Sequence, residues 1–244
     1  MPSPSENRTR LKVIGFDTAT DETVVGATVS GEPVWEVSIG PDPSGRPTHS
    51  GELLEAISTG VDQLGGWGEV DRIAVGTGPG TFTGLRIGLA TAIGLAAGAA
   101  VPLTGVSTLR ALSLALEPDP GESSAPVLDA RRGEVFFAAW DSDGRNLVPP
   151  SVGDPAEAAQ ALIELDLTPL AFGPGAVRFR EKFLEAGVVP LTESDGHGPL
   201  QLTGTSICHL GEQAEELETG AIPEPQYLRR PDAELWLERD SGQR

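Results

Sequence analysis

The sequence predicts an α/β protein built from two successive α/β halves. Three observations carry that prediction. Residues 11–97 read in the order β-β-β-α-β-α, with a glycine-rich turn between the last strand and its helix. A turn-rich stretch from Glu117 to Ser124 is then followed by a fresh set of strands. No segment recurs at a period of 20–50 residues, which excludes a solenoid.

Each element follows from its residues. Lys12 to Phe16 is a compact apolar run that closes in Asp17-Thr18-Ala19-Thr20-Asp21, a turn signal. Thr23 to Val29 and Val34 to Ile39 are β-branched runs around the Gly31-Glu32-Pro33 turn, so the first three strands read as antiparallel neighbours. Gly40 to Pro47 is a loop. In the helix from His49 to Leu64, Leu53, Leu54, Ile57, Val61 and Leu64 recur at three- and four-residue steps and form one apolar stripe. Gly65-Gly66 stops it. Arg72 to Gly76 is a buried-type strand, Gly78-Pro79-Gly80 turns the chain, and a second helix runs from about Thr83 to Ala97. A third spans about Ser107 to Leu116.

The second half restarts with strands Pro126 to Asp129 and Val135 to Asp141, joined by Arg131-Arg132-Gly133-Glu134. Pro155 to Glu164, Ala176 to Ala186 and Ser206 to Glu218 read as helices, and Pro169 to Phe172 as a short strand. The organisation expected is a disordered extension over 1–10, an N-terminal subdomain over 11–116 and a C-terminal subdomain over 117–244. The tail from Pro223 is rich in Pro and charge, with Tyr227-Leu228 as its candidate anchor.

Composition bounds the function. The 244 residues are 39% apolar, enough for a real core, and 31 Gly with 21 Pro signal many tight turns without reaching a disordered composition. Seventeen basic residues stand against 36 acidic ones, a net charge of −19. Tight nucleic-acid binding needs clustered Lys and Arg, and the densest clusters here are only Arg131–Arg132 and Arg229–Arg230. A partner with basic patches, simple solubility or salt adaptation suits the charge better. The lone Cys208 excludes an internal disulfide and fits a reducing, cytoplasmic setting. Met1 to Arg10 lacks the apolar core of a signal peptide. Ile87 to Leu109 carries no charge and is long enough to cross a bilayer. Gly88, Gly94, Gly98, Pro102 and Gly105 interrupt it, so it reads as a buried helix, a turn and a short strand, with no membrane span.

Three motifs each admit two readings. In Gly76-Thr77-Gly78-Pro79-Gly80-Thr81-Phe82-Thr83-Gly84, free backbone N–H groups could cradle a phosphate. The third glycine of a dinucleotide fingerprint would however fall at Thr81, and a Walker A lysine is missing. A tight structural turn is the other reading. Asp17-Thr18 could hold a metal–phosphate group or simply open a hairpin. In the second helix Gly84, Gly88, Ala92, Gly94 and Gly98 set small residues on its faces, at roughly 1 kcal/mol for each interior glycine relative to alanine. Such spacing lets another helix approach closely, either from a partner or from the chain's own core. His49, His197 and His209 are scattered, and no HExxH, CxxC or G-x-S-x-G occurs.

Several segments together resemble one family. They are Asp17-Thr18-Ala19-Thr20, Thr48-His49-Ser50-Gly51-Glu52-Leu53-Leu54, Gly78-Pro79-Gly80-Thr81-Phe82-Thr83-Gly84-Leu85-Arg86-Ile87-Gly88 and Gly105-Val106-Ser107-Thr108-Leu109. Val127 to Val135 and Pro225-Gln226-Tyr227-Leu228-Arg229-Arg230-Pro231 complete the set, in order over about 11–235. The chain is similar here to the TsaB (YeaZ) family of bacterial tRNA-modification proteins. The resemblance implies an actin/Hsp70-like (ASKHA) fold of two related α/β subdomains, with mixed sheets flanked by helices. It also implies a non-catalytic scaffold that pairs with a TsaD-type subunit to place threonylcarbamoyl on the adenosine next to the anticodon. A TsaE-type ATPase as further partner, self-association when alone, contact with tRNA only through the complex and no cofactor complete that picture. TsaD-type subunits carry a His-x-x-x-His metal motif where this chain has His49 and Leu53, so no metal and no catalytic residue are expected. The expected partner face is Leu53, Leu54, Ile57, Thr83, Arg86, Ile87, Ala90, Thr91, Gly94 and Leu95. Asp17, Thr18, Gly78, Gly80 and Thr81 form a candidate vestigial nucleotide or phosphate turn. The alternative in another class is a small actin/Hsp70-like phosphotransferase.

Overall fold

The computed structural model describes residues 10–197, 200–214 and 222–229. In chain order the elements are β1 (Lys12–Asp17), β2 (Thr23–Val29), β3 (Glu32–Ile39), α1 (His49–Leu64), β4 (Arg72–Gly76), α2 (Phe82–Ala99), β5 (Leu103–Val106) and α3 (Thr108–Ser113). There follow β6 (Glu122–Arg131), β7 (Glu134–Asp141), β8 (Asn146–Gly153), α4 (Pro155–Ile163), β9 (Thr168–Phe172), α5 (Pro174–Arg178), α6 (Arg180–Glu185) and α7 (Gly204–Gln213).

These elements form two compact units, and the division is interleaved along the chain. The first unit takes the described residues up to Thr77, Arg86–Val106 and those from Thr203 to Glu224; the second takes Gly78–Leu85, Ser107–Leu202 and those from Pro225. A single cut after residue 116 is therefore corrected: α7 returns to the first unit, and the glycine turn and α3 belong to the second. The expected extension over 1–10 lies outside the described residues except for Arg10.

The first sheet has the order β3-β2-β1-β4-β5, with β1, β2 and β3 antiparallel and β4 and β5 running parallel to β1. Strand alternation divides its side chains between two faces. Ile14, Phe16, Val25, Ala27, Ile73 and Val75 share one core cluster with Leu53, Ile57 and Val61 of α1 and Leu89 and Ala92 of α2. Each such large side chain contributes about 1.5–3 kcal/mol on burial. On alternate positions stand Gly15, Gly26 and Ala74, and there α7 lies almost on the backbone. A side chain on Gly26 would strike the backbone of Gly204, one on Gly204 would strike Val25 and Gly26, and one on Gly15 would reach Cys208 Sγ at 2.7 Å. Burial pushes the Cys208 thiol up to about 12. The buried Arg72 of β4 donates from Nη1 to the carbonyls of Gly211 (2.6 Å) and Ala214 (3.0 Å), placing a cation on the carbonyl end of α7. Of the helix expected over 206–218, the last residues lie outside the described ones.

The second sheet, β8-β7-β6-β9, repeats the first without its fifth strand: an antiparallel meander with one strand parallel to its innermost member. This internal duplication is the actin/Hsp70-like architecture. Ala125, Val127, Phe137, Ala158, Leu162 and Phe183 build its core. β8 was hidden in the sequence by Pro149 and Pro150, which an edge strand tolerates because one row of its N–H groups needs no ladder partner. The helix expected over Ala176–Ala186 is two helices, α5 and α6, broken at Phe179, whose ψ of 27° leaves the helical range.

Glycine's lack of Cβ decides the α7 contact, so Gly26→Val is expected to cost about 3 kcal/mol, the upper range of core overpacking. Gly94→Ala, with open space around it, is expected to gain up to about 1 kcal/mol in helix propensity. Urea unfolding of both variants checks the contrast; equal stabilities would overturn it.

Candidate functional site

The β1–β2 turn and the glycine turn are built on opposite chemistry from a ligand cradle. Asp17 ends β1 fully buried, its carboxylate lying where a side chain on Gly76 would stand, and its Oδ1 accepts the Ala19 N–H at 2.5 Å. Thr18 is also buried. In the second unit the Gly78 N–H donates to Thr108 Oγ1 (3.0 Å) while the Gly78 carbonyl accepts the Thr108 N–H (2.8 Å). The half-buried Thr81 caps α2, its carbonyl and Oγ1 accepting the N–H groups of Leu85 (3.0 Å) and Gly84 (3.2 Å). Thr77 N–H, just before the turn, goes to the Val106 carbonyl at 2.8 Å. The Thr77 and Gly78 N–H groups thus serve the chain itself, and the Asp17 carboxylate is buried. Asp17 and Thr18 stand in the turn after β1 of the first unit, and Gly78, Thr81 and the half-buried Gly80 in the glycine turn of the second.

Helix α2 has two distinct faces. Leu89, Ala92 and the partly buried Ile93 pack in the first core, and Gly88 faces inward as well, where a side chain would meet Thr18 Oγ1 at 2.5 Å. The small residues of this helix thus serve two purposes. Gly88 and Ala92 admit the chain's own core, whereas a side chain added at Gly94 or Gly98 would meet nothing within 4 Å among the described residues. Thr83, Arg86, Ala90, Gly94 and Ala97, spaced at three or four residues, are all exposed. Only 28% of this apolar 18-residue helix is buried within the chain. By length and composition α2 could cross a membrane; its Leu89 and Ala92 share the first core cluster with Ile14 and Ile57, and its other face is uncovered among the described residues.

The expected partner face is corrected at two positions. Leu53 and Ile57 are 2% and 1% exposed and fill the first core, because the stripe on α1 faces the chain's own sheet. Leu54, one step around that helix, is 58% exposed. Ile87 and Leu95 are partly buried against the core and Thr91 is half-exposed. Periodicity alone could not assign the sides, since α1 carries apolar residues on both.

His49 opens α1 in a buried position, with Nδ1 at 2.7 Å from Thr23 Oγ1. Burial lowers its pKa, opposed by the Thr20 backbone and the charge of Asp21. Four residues on stands the core residue Leu53, which cannot ligate a metal. No group of three or more His, Cys, Asp or Glu is placed to hold a metal among the described residues. The charged hairpin Arg131-Arg132-Gly133 has all three residues at positive φ, and Asp129 accepts from Arg178 Nη1 at 2.5 Å beside it.

Fold and surface thus define an actin/Hsp70-like protein whose second helix is bare on one side among the described residues. A family model described as TsaD, tRNA N6-adenosine threonylcarbamoyltransferase, matches residues 46–168, half of the chain. The tRNA threonylcarbamoyladenosine biosynthesis protein TsaB of Haemophilus influenzae is 34% identical over 130 residues, 52% of this chain and 53% of that protein. TsaB of Bacillus subtilis is 28% identical over 183 residues, 70% and 75% of the two chains. The match to the Haemophilus relative thus spans about half of its length. The crystal structure of a Pseudomonas aeruginosa protein with similarity to peptidase YEAZ is 25% identical, with a TM-score of 0.71 over 90% of this chain and all of that one. The chain belongs to the TsaD-type tRNA N6-adenosine threonylcarbamoyltransferase family, in its TsaB (YeaZ) branch.

Because His49 has its pKa lowered in the folded state, the unfolded chain binds the proton more readily. Stability is therefore full above the unfolded value near 6.5 and falls as pH drops below it, toward the lower folded value. Unfolding free energy followed from pH 7.5 to 5 should decline less steeply in His49→Gln; an identical slope would show that His49 is not the source.

Proposed function

We propose that the chain is a non-catalytic scaffold and activating subunit in tRNA N6-threonylcarbamoyladenosine synthesis, pairing with a TsaD-type catalytic subunit through the uncovered face of α2. The observation that carries this reading is that face itself: Thr83, Arg86, Ala90, Gly94 and Ala97 stand exposed on an apolar helix, with open space at Gly94 and Gly98. A flat strip of small residues admits a second helix at close range, where dispersion contacts are densest. Exposed Leu54 on α1 is the apolar residue we assign to the same partner.

The sealed Asp17 and the engaged N–H groups at Gly78 and Thr77 support a supporting role over phosphotransfer. The net charge of −19 makes direct docking on tRNA unfavourable, so tRNA is reached through the complex. Turnover relies on a TsaE-type ATPase, the free chain self-associates through the same strip, and the complex works in the cytoplasm.

The purified chain alone should transfer no threonylcarbamoyl group to tRNA and should stimulate a TsaD-type subunit that does. Gly94→Leu should fold with a stability within about 1 kcal/mol of the parent and bind that subunit at least about 30-fold more weakly, the size of an interface hot spot. Gly88→Leu, by contrast, should fail first in folding, because Thr18 occupies its space. Titration calorimetry and thermal melts separate the two. Transfer by the lone chain, or unchanged affinity of Gly94→Leu, would overturn the reading.

A further inference from the structure

One described segment remains without a role in this reading: the stretch from Pro225 to Arg229, far in sequence from α2 yet packed on its first turn. Tyr227 stacks on Phe82, with ring centroids 5.3 Å apart and planes tilted by 39°, and remains 42% exposed. The Gln226 carbonyl oxygen lies 3.3 Å from where a side chain on Gly78 would stand. Arg229 Nη1 donates to the Ala130 carbonyl at 2.8 Å, and its Nη2 lies 3.5 Å from Glu134 Oε2. The segment is therefore fixed at both ends within the second unit: to the glycine turn and Phe82 at one, and to the β6–β7 hairpin at the other.

From this geometry we infer that Pro225–Arg229 is a strap that positions the docking helix, with Tyr227 as its positioning residue. The inference rests on the reading of α2 as the partner surface. The physical case concerns what holds the turn that precedes the helix. The helix is preceded by Gly78-Pro79-Gly80, and glycine turns give little conformational resistance. On one side Gly78 is held by Thr108. On the other side the strap supplies the contact: an aromatic face on Phe82 and a carbonyl against Gly78. A helix whose face is to be matched by a partner needs its first turn held before binding, because ordering it at the moment of association weakens affinity. Arg229 holds the strap through a fixed guanidinium on a backbone carbonyl, which side-chain motion at the hairpin does not release.

The test compares Tyr227→Ala, Arg229→Ala and Tyr227→Phe in the full chain. Amide hydrogen exchange over residues 80–86 is read against residues 135–141, and affinity for the TsaD-type subunit of the same organism is measured alongside. Tyr227→Ala and Arg229→Ala should each speed exchange at 80–86 about tenfold without changing 135–141, and weaken affinity about tenfold. Tyr227→Phe, which keeps the ring, should match the parent in both. Unchanged exchange at 80–86 in Tyr227→Ala overturns the strap, as does faster exchange with unchanged affinity while Gly94→Leu still weakens binding. If Gly94→Leu binds like the parent, the docking surface fails and the positioning role falls with it.

Discussion

Close approach of the Gly88 backbone to Thr18 is the constraint on which the presentation of α2 depends. A helix can rotate about its axis on a smooth apolar sheet, but here a hydroxyl stands 2.5 Å from the place a Cβ would occupy. Only one rotation puts the missing side chain over Thr18. That rotation turns Leu89 and Ala92 into the core and leaves Ala90 and Gly94 outside. The same economy governs the opposite face of the first sheet, where Gly15, Gly26, Gly204 and Gly211 let α7 settle on the strands. The glycines of this chain thus trade helix and strand propensity for backbone proximity.

The glycine turn has a familiar shape with some of its donors turned to other work. Strand, tight turn and helix N-terminus stand in the order that suits an anion. Yet the Gly78 N–H is spent on Thr108 and the Asp17 carboxylate lies buried over Gly76. A carboxylate buried in this way reaches a ligand only at a desolvation cost.

Much of this was legible in the sequence. The three-strand opening, α1 and the strand–turn–helix at Gly78 follow from periodicity and turn residues, and Tyr227 stood out as the anchor of the tail. β8 was not legible, because two prolines read as a loop unless the strand is known to lie at an edge. Nor was the break at Phe179, which no glycine or proline marks. For the candidate surface, periodicity did not separate the sides of the helices: Leu53 and Ile57 fill the core, and Gly88, left open between partner and core, belongs inward with Leu89.

By itself the sequence determined the element order of the first half, the net charge of −19 and the absence of the His pair and nucleophile motifs, since these are properties of residue type and spacing. It also carried the small residues that make a close helix contact feasible. Only the tertiary structure decided which of those residues meet the chain's own core and which stay bare. The reason is physical: small residues look alike in sequence, and their side of a helix is fixed by what stands opposite. For Gly88 that is Thr18, for Gly26 it is α7, and for Gly94 nothing within 4 Å among the described residues.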